Sequence, residues 1–68
     1  MMLLPDPAKI HRLRLEQLMT QEELAAAARI TRRTLTNIAA GKPSRLSTVR
    51  AVAKALHVEP SDISTVVE

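Results

Sequence analysis

The sequence predicts an all-α domain of five short helices, and three observations carry that expectation. The chain has 68 residues, 46% of them apolar, with ten alanines and no Phe, Trp or Tyr. A core of thin aliphatic side chains suits closely packed helices better than a β-sandwich. Helix-start signals recur at Asp6, Thr20 and Thr31, each ahead of apolar residues at helical spacing. The one β-like stretch, Thr65-Val66-Val67, is too short to count as a strand.

Asp6-Pro7 starts the first helix, with Asp6 as N-cap and Pro7 at the first helical position. Ile10, Leu13 and Leu18 then extend it from about residue 7 to 18. Thr20-Gln21-Glu22-Glu23 reads as a capping box, flanked by Met19 and Leu24 at the staple positions. The run Ala25-Ala26-Ala27-Ala28 favours a helix and lets a neighbour approach closely. Thr31 caps a third helix, in which Leu35, Ile38 and Ala39 face inward; Gly41 ends it in the left-handed region and Pro43 stops any continuation. A fourth helix over about 45–56 buries Leu46, Val49, Val52, Ala53 and Leu56, capped by Ser44 or Ser47. Glu59 to Ile63 open a short fifth helix that tucks Ile63 under the others. This length fits a single domain over residues 1–68, with a core at about 7–64, a short N-terminal arm and a C-terminal tail.

The net charge of +3 hides a segregation. Residues 1–23 carry −1 and residues 59–68 carry −3. Between them, residues 24–58 hold Arg29, Arg32, Arg33, Lys42, Arg45, Arg50 and Lys54 and no acid at all. That stretch points to a polyanionic partner. A membrane is a poor fit, because the basic residues spread over two helices without aromatic anchors and no apolar run approaches a membrane span. Without aromatic side chains, single-stranded nucleic acid has nothing to stack on. Without cysteine there is no disulfide, thiolate metal site or cysteine nucleophile, which is compatible with a reducing cytoplasm. His11 and His57 lack suitably spaced partners for a metal. No nucleophile–base pair is evident, so neither an enzyme nor a cofactor is expected.

The second and third helices are joined by only Arg29-Ile30-Thr31. So short a link forces a sharp crossing, the helix-turn-helix geometry. The third helix then presents Arg32, Arg33, Thr36 and Asn37. These residue types read base edges: Arg pairs with guanine, Asn with adenine and Thr with the thymine methyl group. The plain reading of Arg32 and Arg33 is surface charge. Cations are mildly unfavourable at a helix N-terminus, so their presence there favours the functional reading. Arg50 and Lys54, on the outer face of the fourth helix, read as solubilising.

Thr20-Gln21-Glu22-Glu23-Leu24-Ala25, Thr31 to Ile38, Gly41-Lys42 and Ala53 to Val58, at these spacings, resemble the phage-repressor and Cro-type helix-turn-helix family, the lambda-repressor-like or Xre-type group. The likeness covers about residues 7–64. It implies a compact five-helix DNA-binding domain and a small transcriptional regulator, a repressor, acting on double-stranded DNA in a bacterial or phage cytoplasm, associated with the nucleoid. By the same resemblance, Gln21 touches a phosphate and braces the first side chain of the recognition helix. Arg32, Arg33 and Asn37 meet base edges with Thr36 beside them, and Thr31, Lys42, Ser44 and Arg45 touch the sugar-phosphate backbone. Specific binding by so small a module generally needs two half-sites, so a homodimer on a palindromic operator is expected, joined through Met2, Leu3 and Leu4 or through the tail Val66-Val67. A second reading is a protein-interaction module, like antitoxins built on the same fold and bound to a toxin.

Three departures from the family pattern stand out. Arg29 and Leu18 occupy positions where glycine is usual. If Arg29 is left-handed it costs about 1 kcal/mol; otherwise the second helix runs a residue longer. Ala39-Ala40 replaces a common Glu-Asn, which deprives Arg14 of its usual carboxylate. Arg14 must then take another acid, backbone carbonyls or water.

Overall fold

A computed structural model describes residues 1–67. The described residues form β1 (Met2–Pro5), α1 (Pro7–Glu16), α2 (Gln21–Ala28), α3 (Arg32–Ala39), β2 (Ser44–Arg45), α4 (Leu46–Ala55), a 3-10 turn (Pro60–Asp62) and β3 (Ser64–Val67). The domain is therefore not all-α and does not have five helices. The strands form an antiparallel sheet in the order β2-β1-β3. Its centre is the N-terminal segment expected to be a mere arm. Leu3 lies opposite both Ser44 and Val66, and the Asp6 amide extends the pairing by donating to the Ile63 carbonyl at 2.8 Å. Leu3 and Pro5 point inward while Met2 and Leu4 point out. All four residues are apolar, so the alternation leaves no trace in the sequence.

The fifth helix stops after one 3-10 turn. The Pro60 carbonyl accepts from the Ile63 amide at 3.2 Å and from the Ser64 hydroxyl at 2.6 Å. An α-helix would need that carbonyl for the Ser64 amide. Ile63 is nevertheless fully buried, as expected. Together with Leu24, Leu35, Ile38, Val49, Val52 and Leu56 it supplies the largest fully buried side chains of the core. The alanine run divides: Ala25 and Ala28 are buried, whereas Ala26 and Ala27 are exposed. Neither serine caps α4. Arg45 holds that position without a side-chain hydrogen bond, and the Ser44 hydroxyl donates instead to the Lys42 carbonyl at 2.9 Å.

The N-caps of the first three helices form as the sequence predicts. Asp6 accepts from the Lys9 amide at 3.2 Å, Thr20 and Glu23 exchange both bonds of the capping box, and Thr31 accepts from the Thr34 amide at 3.1 Å. At their other ends the four helices share one device. Each is followed by a left-handed residue, Leu18 (φ 56°), Arg29 (φ 57°), Gly41 (φ 80°) and His57 (φ 60°). The next amide in each case reaches back five residues: Met19 to Arg14, Ile30 to Ala25, Lys42 to Asn37 and Val58 to Ala53, all at 3.0–3.1 Å. This closure satisfies the last carbonyls and turns an apolar residue inward after three of the helices. Glycine is present only at Gly41, where an added Cβ would also meet the Pro7 side chain at 3.0 Å. α1 consequently ends at Glu16, two residues short of the expected boundary.

Left-handed backbone costs a non-glycine residue about 1–2 kcal/mol. Leu18 is 90% exposed, so its side chain contributes almost no packing in return. Leu18→Gly is therefore expected to stabilise the protein by about 0.5–1 kcal/mol, after allowing for the greater freedom of glycine in the unfolded chain. Urea denaturation measures this. A lowered midpoint would contradict a left-handed Leu18.

Candidate nucleic-acid interface

α2 and α3 meet across Arg29-Ile30-Thr31. The left-handed Arg29 ends α2 where glycine would usually stand, so the helix does not run on. Ile30 then folds back onto the core and Thr31 starts α3 in extended backbone. On α3, Leu35 and Ile38 are 2% and 1% exposed, and they fix the helix against the core. That seam leaves Arg32, Arg33 and Thr36 exposed and Asn37 half-buried. At 3.6 residues per turn these four share an arc of about 140°. The other end of α3 is set by the left-handed Gly41, which lies against Pro7, and the Lys42 amide donates back to the Asn37 carbonyl at 3.1 Å.

Several of the expected site residues are engaged inside the protein. Arg32 donates through Nη2 to Gln21 Oε1 at 2.6 Å and through Nη1 to Glu22 Oε2 at 2.5 Å. Gln21 thus holds the first side chain of α3. The Thr36 hydroxyl donates to the Arg32 carbonyl at 2.9 Å, which commits its proton and leaves its methyl group and lone pairs outward. The Thr31 hydroxyl donates to Thr34 Oγ1 at 2.9 Å. With their single protons committed, Thr31, Thr36 and Ser44 can only accept in this arrangement. Arg33, Asn37 and Lys42 form no side-chain hydrogen bond among the described residues. Arg45, expected at the start of the fourth helix, is the N-cap of α4. It is also a β2 residue opposite Met2.

Two further residues complete the region. Arg14 settles on a carbonyl: its Nη1 donates to Met19 O at 2.8 Å, just ahead of the α2 cap, while Nη2 lies 3.1 Å from His11 Nδ1. Glu22 is the residue that the sequence reading missed, having been assigned to the first turn of α2 alone. Hydrogen bonding from its own backbone amide holds its carboxyl below the usual value, and the hydrogen bond and charge of Arg32 add to this. A lowered carboxyl pKa keeps Glu22 ionised through the neutral range. The charge of the pair with Arg32 is lost as pH falls through that lowered value.

The buried seam, the three-residue turn and the exposed polar face of the second helix define a helix-turn-helix domain. A family model described as helix-turn-helix matches residues 10–63. The chain belongs to that family, a family of DNA-binding transcription regulators of the Cro/C1 type. The crystal structure of the transcriptional regulator VanUg, form II, is similar, with a TM-score of 0.76 at 18% identity over 96% of this chain and 87% of that one. Identity at that level shows the shared fold alone. No curated protein matches the sequence. No helix among the described residues is long and apolar enough to cross a membrane.

Proposed function

We propose that the protein is a transcriptional repressor that reads the major groove of double-stranded DNA with α3. The observation that carries this reading is the outward face of α3, where Arg32, Arg33, Thr36 and Asn37 stand together with no acid on the same helix. Arg32, Arg33 and Asn37 supply donors for base edges, and Thr36 supplies a methyl group for thymine. Gln21, Thr31, Lys42, Ser44 and Arg45 serve the sugar-phosphate backbone. Lys42 and Arg45 make no side-chain hydrogen bond among the described residues, and the hydroxyls of Thr31 and Ser44 must rotate before they donate to a phosphate.

The active form in this reading is a homodimer on a palindromic operator, because one such module spans too few base pairs for specific affinity. The two apolar segments expected to join the protomers are neighbours in one sheet. Met2 and Leu4 on β1 are 40% and 41% exposed, and Val66 on β3 is 58% exposed. β3 is an edge strand without a charged residue or proline to guard it. A second copy suits that edge. Selection from a random duplex library tests the whole reading: the expected product is a palindromic motif containing guanine, and the absence of any enriched motif would overturn it.

Lys42→Ala is expected to weaken all duplexes alike and to reduce the salt slope by about one. Titrations at several salt concentrations measure this, and an unchanged slope would remove Lys42 from the phosphate contacts.

A further inference from the structure

We infer that Glu22 is a specificity-determining residue that acts through Arg32: with Gln21 it holds the guanidinium for a base edge and cancels the charge that would otherwise grip any phosphate. The inference rests on the reading of Arg32 as a base-contacting residue.

The two acceptors lie on consecutive residues at the start of α2 and take one nitrogen each, Gln21 at Nη2 and Glu22 at Nη1. A guanidinium tied at both terminal nitrogens has lost most of its freedom before DNA arrives. An arginine side chain otherwise pays for that ordering when it binds. The tie leaves room for recognition. Guanidinium carries five N–H groups, so three remain, and a guanine edge takes two.

A plain surface salt bridge is the competing account. The Arg32 and Glu22 side chains are 50% and 72% exposed, so as a source of stability the pair is worth little. Its consequence for binding is larger, because the two kinds of contact differ in what they ask of the arginine. A phosphate attracts net charge from any direction, whereas a base edge needs oriented N–H groups. Glu22 removes the first attraction and, with Gln21, supplies the orientation. It also brings a carboxylate to the DNA-facing side of α2, and that carboxylate lowers affinity for every duplex.

The test compares the full chain with the Glu22→Gln, Arg32→Ala and double variants. Each is titrated on the selected duplex, on that duplex changed at the base pair where Arg32→Ala loses preference, and on scrambled DNA. Glu22→Gln is expected to bind scrambled DNA roughly two- to fivefold more tightly and to lose discrimination at that base pair by a similar factor. It should also steepen the salt slope by up to about one as Arg32 turns to phosphate. In the Arg32→Ala background the same substitution should leave discrimination unchanged. Three results would overturn the inference: unchanged discrimination in Glu22→Gln, an equal gain on all duplexes, or the same loss of discrimination without Arg32. If Arg32→Ala itself leaves every preference intact, the base-contacting reading fails, and that failure is visible before Glu22 is considered. Matching thermal unfolding of the four proteins excludes misfolding as the cause.

Discussion

Leu3→Asp is expected to unfold the protein, whereas Leu4→Asp should leave it folded. Leu3 is 4% exposed at the centre of the sheet, facing the core, while Leu4 is 41% exposed on the opposite face. An aspartate at position 3 places a charge among apolar side chains with no basic partner, at a cost of about 3–5 kcal/mol. A domain of this size has roughly 3–10 kcal/mol of stability in total. Much or all of it would be lost. The same substitution one residue later meets solvent, so its effect on the monomer should stay within about 0.5–1 kcal/mol. Leu4 pairs with Thr65 of β3, so in the proposed dimer through that edge the aspartate would also weaken self-association. Circular dichroism with urea denaturation separates the two effects on folding, and sedimentation follows association. Equal tolerance at both positions would mean that the N-terminal segment is not a strand.

The contrast between these two leucines marks where the sequence becomes illegible. Local signals were readable because each needs only neighbours. The Thr20 capping box, the Asp6 and Thr31 caps and the Gly41 turn all appear as expected. β1 is different in kind. It exists because Leu3 meets Val66, more than sixty residues away, and Ser44 on its other side. No window of periodicity contains such pairings, and a strand of four apolar residues shows no alternation. β3 did leave a trace in Thr65-Val66-Val67, too short to be counted as a strand without a partner.

Left-handed closure was half legible in the same sense. Gly41 announces it by its lack of a side chain, but Leu18, Arg29 and His57 adopt it against their own preference. The gain there is tertiary: Met19, Ile30 and Val58 are each delivered to the core by the residue that precedes them. At the site, the positions on α3 follow from helical spacing. The hold of Gln21 on Arg32, eleven residues away across the turn, was implied by the family resemblance, whereas that of Glu22, ten residues away, required the structure. An acid next to a glutamine that braces the first residue of α3 was the available signal.

Arg32→Ala is expected to cost about 1–3 kcal/mol on the selected duplex, and much less on scrambled DNA. On the reading proposed here, the loss has two parts. One is the missing pair of hydrogen bonds to a guanine edge, which is confined to a single base pair. The other is the Glu22 carboxylate, stripped of the guanidinium 2.5 Å away and left facing the DNA. The second part acts on every sequence, so scrambled DNA reports it alone. Subtracting the scrambled from the selected loss isolates the base contact, and adding Glu22→Gln to Arg32→Ala should recover only the shared part. Folding should barely change, because an exposed ion pair contributes little to stability. An equal loss on selected and scrambled DNA would make Arg32 a general electrostatic contact. Base reading by α3 would then rest on Arg33 and Asn37, which have no comparable brace among the described residues.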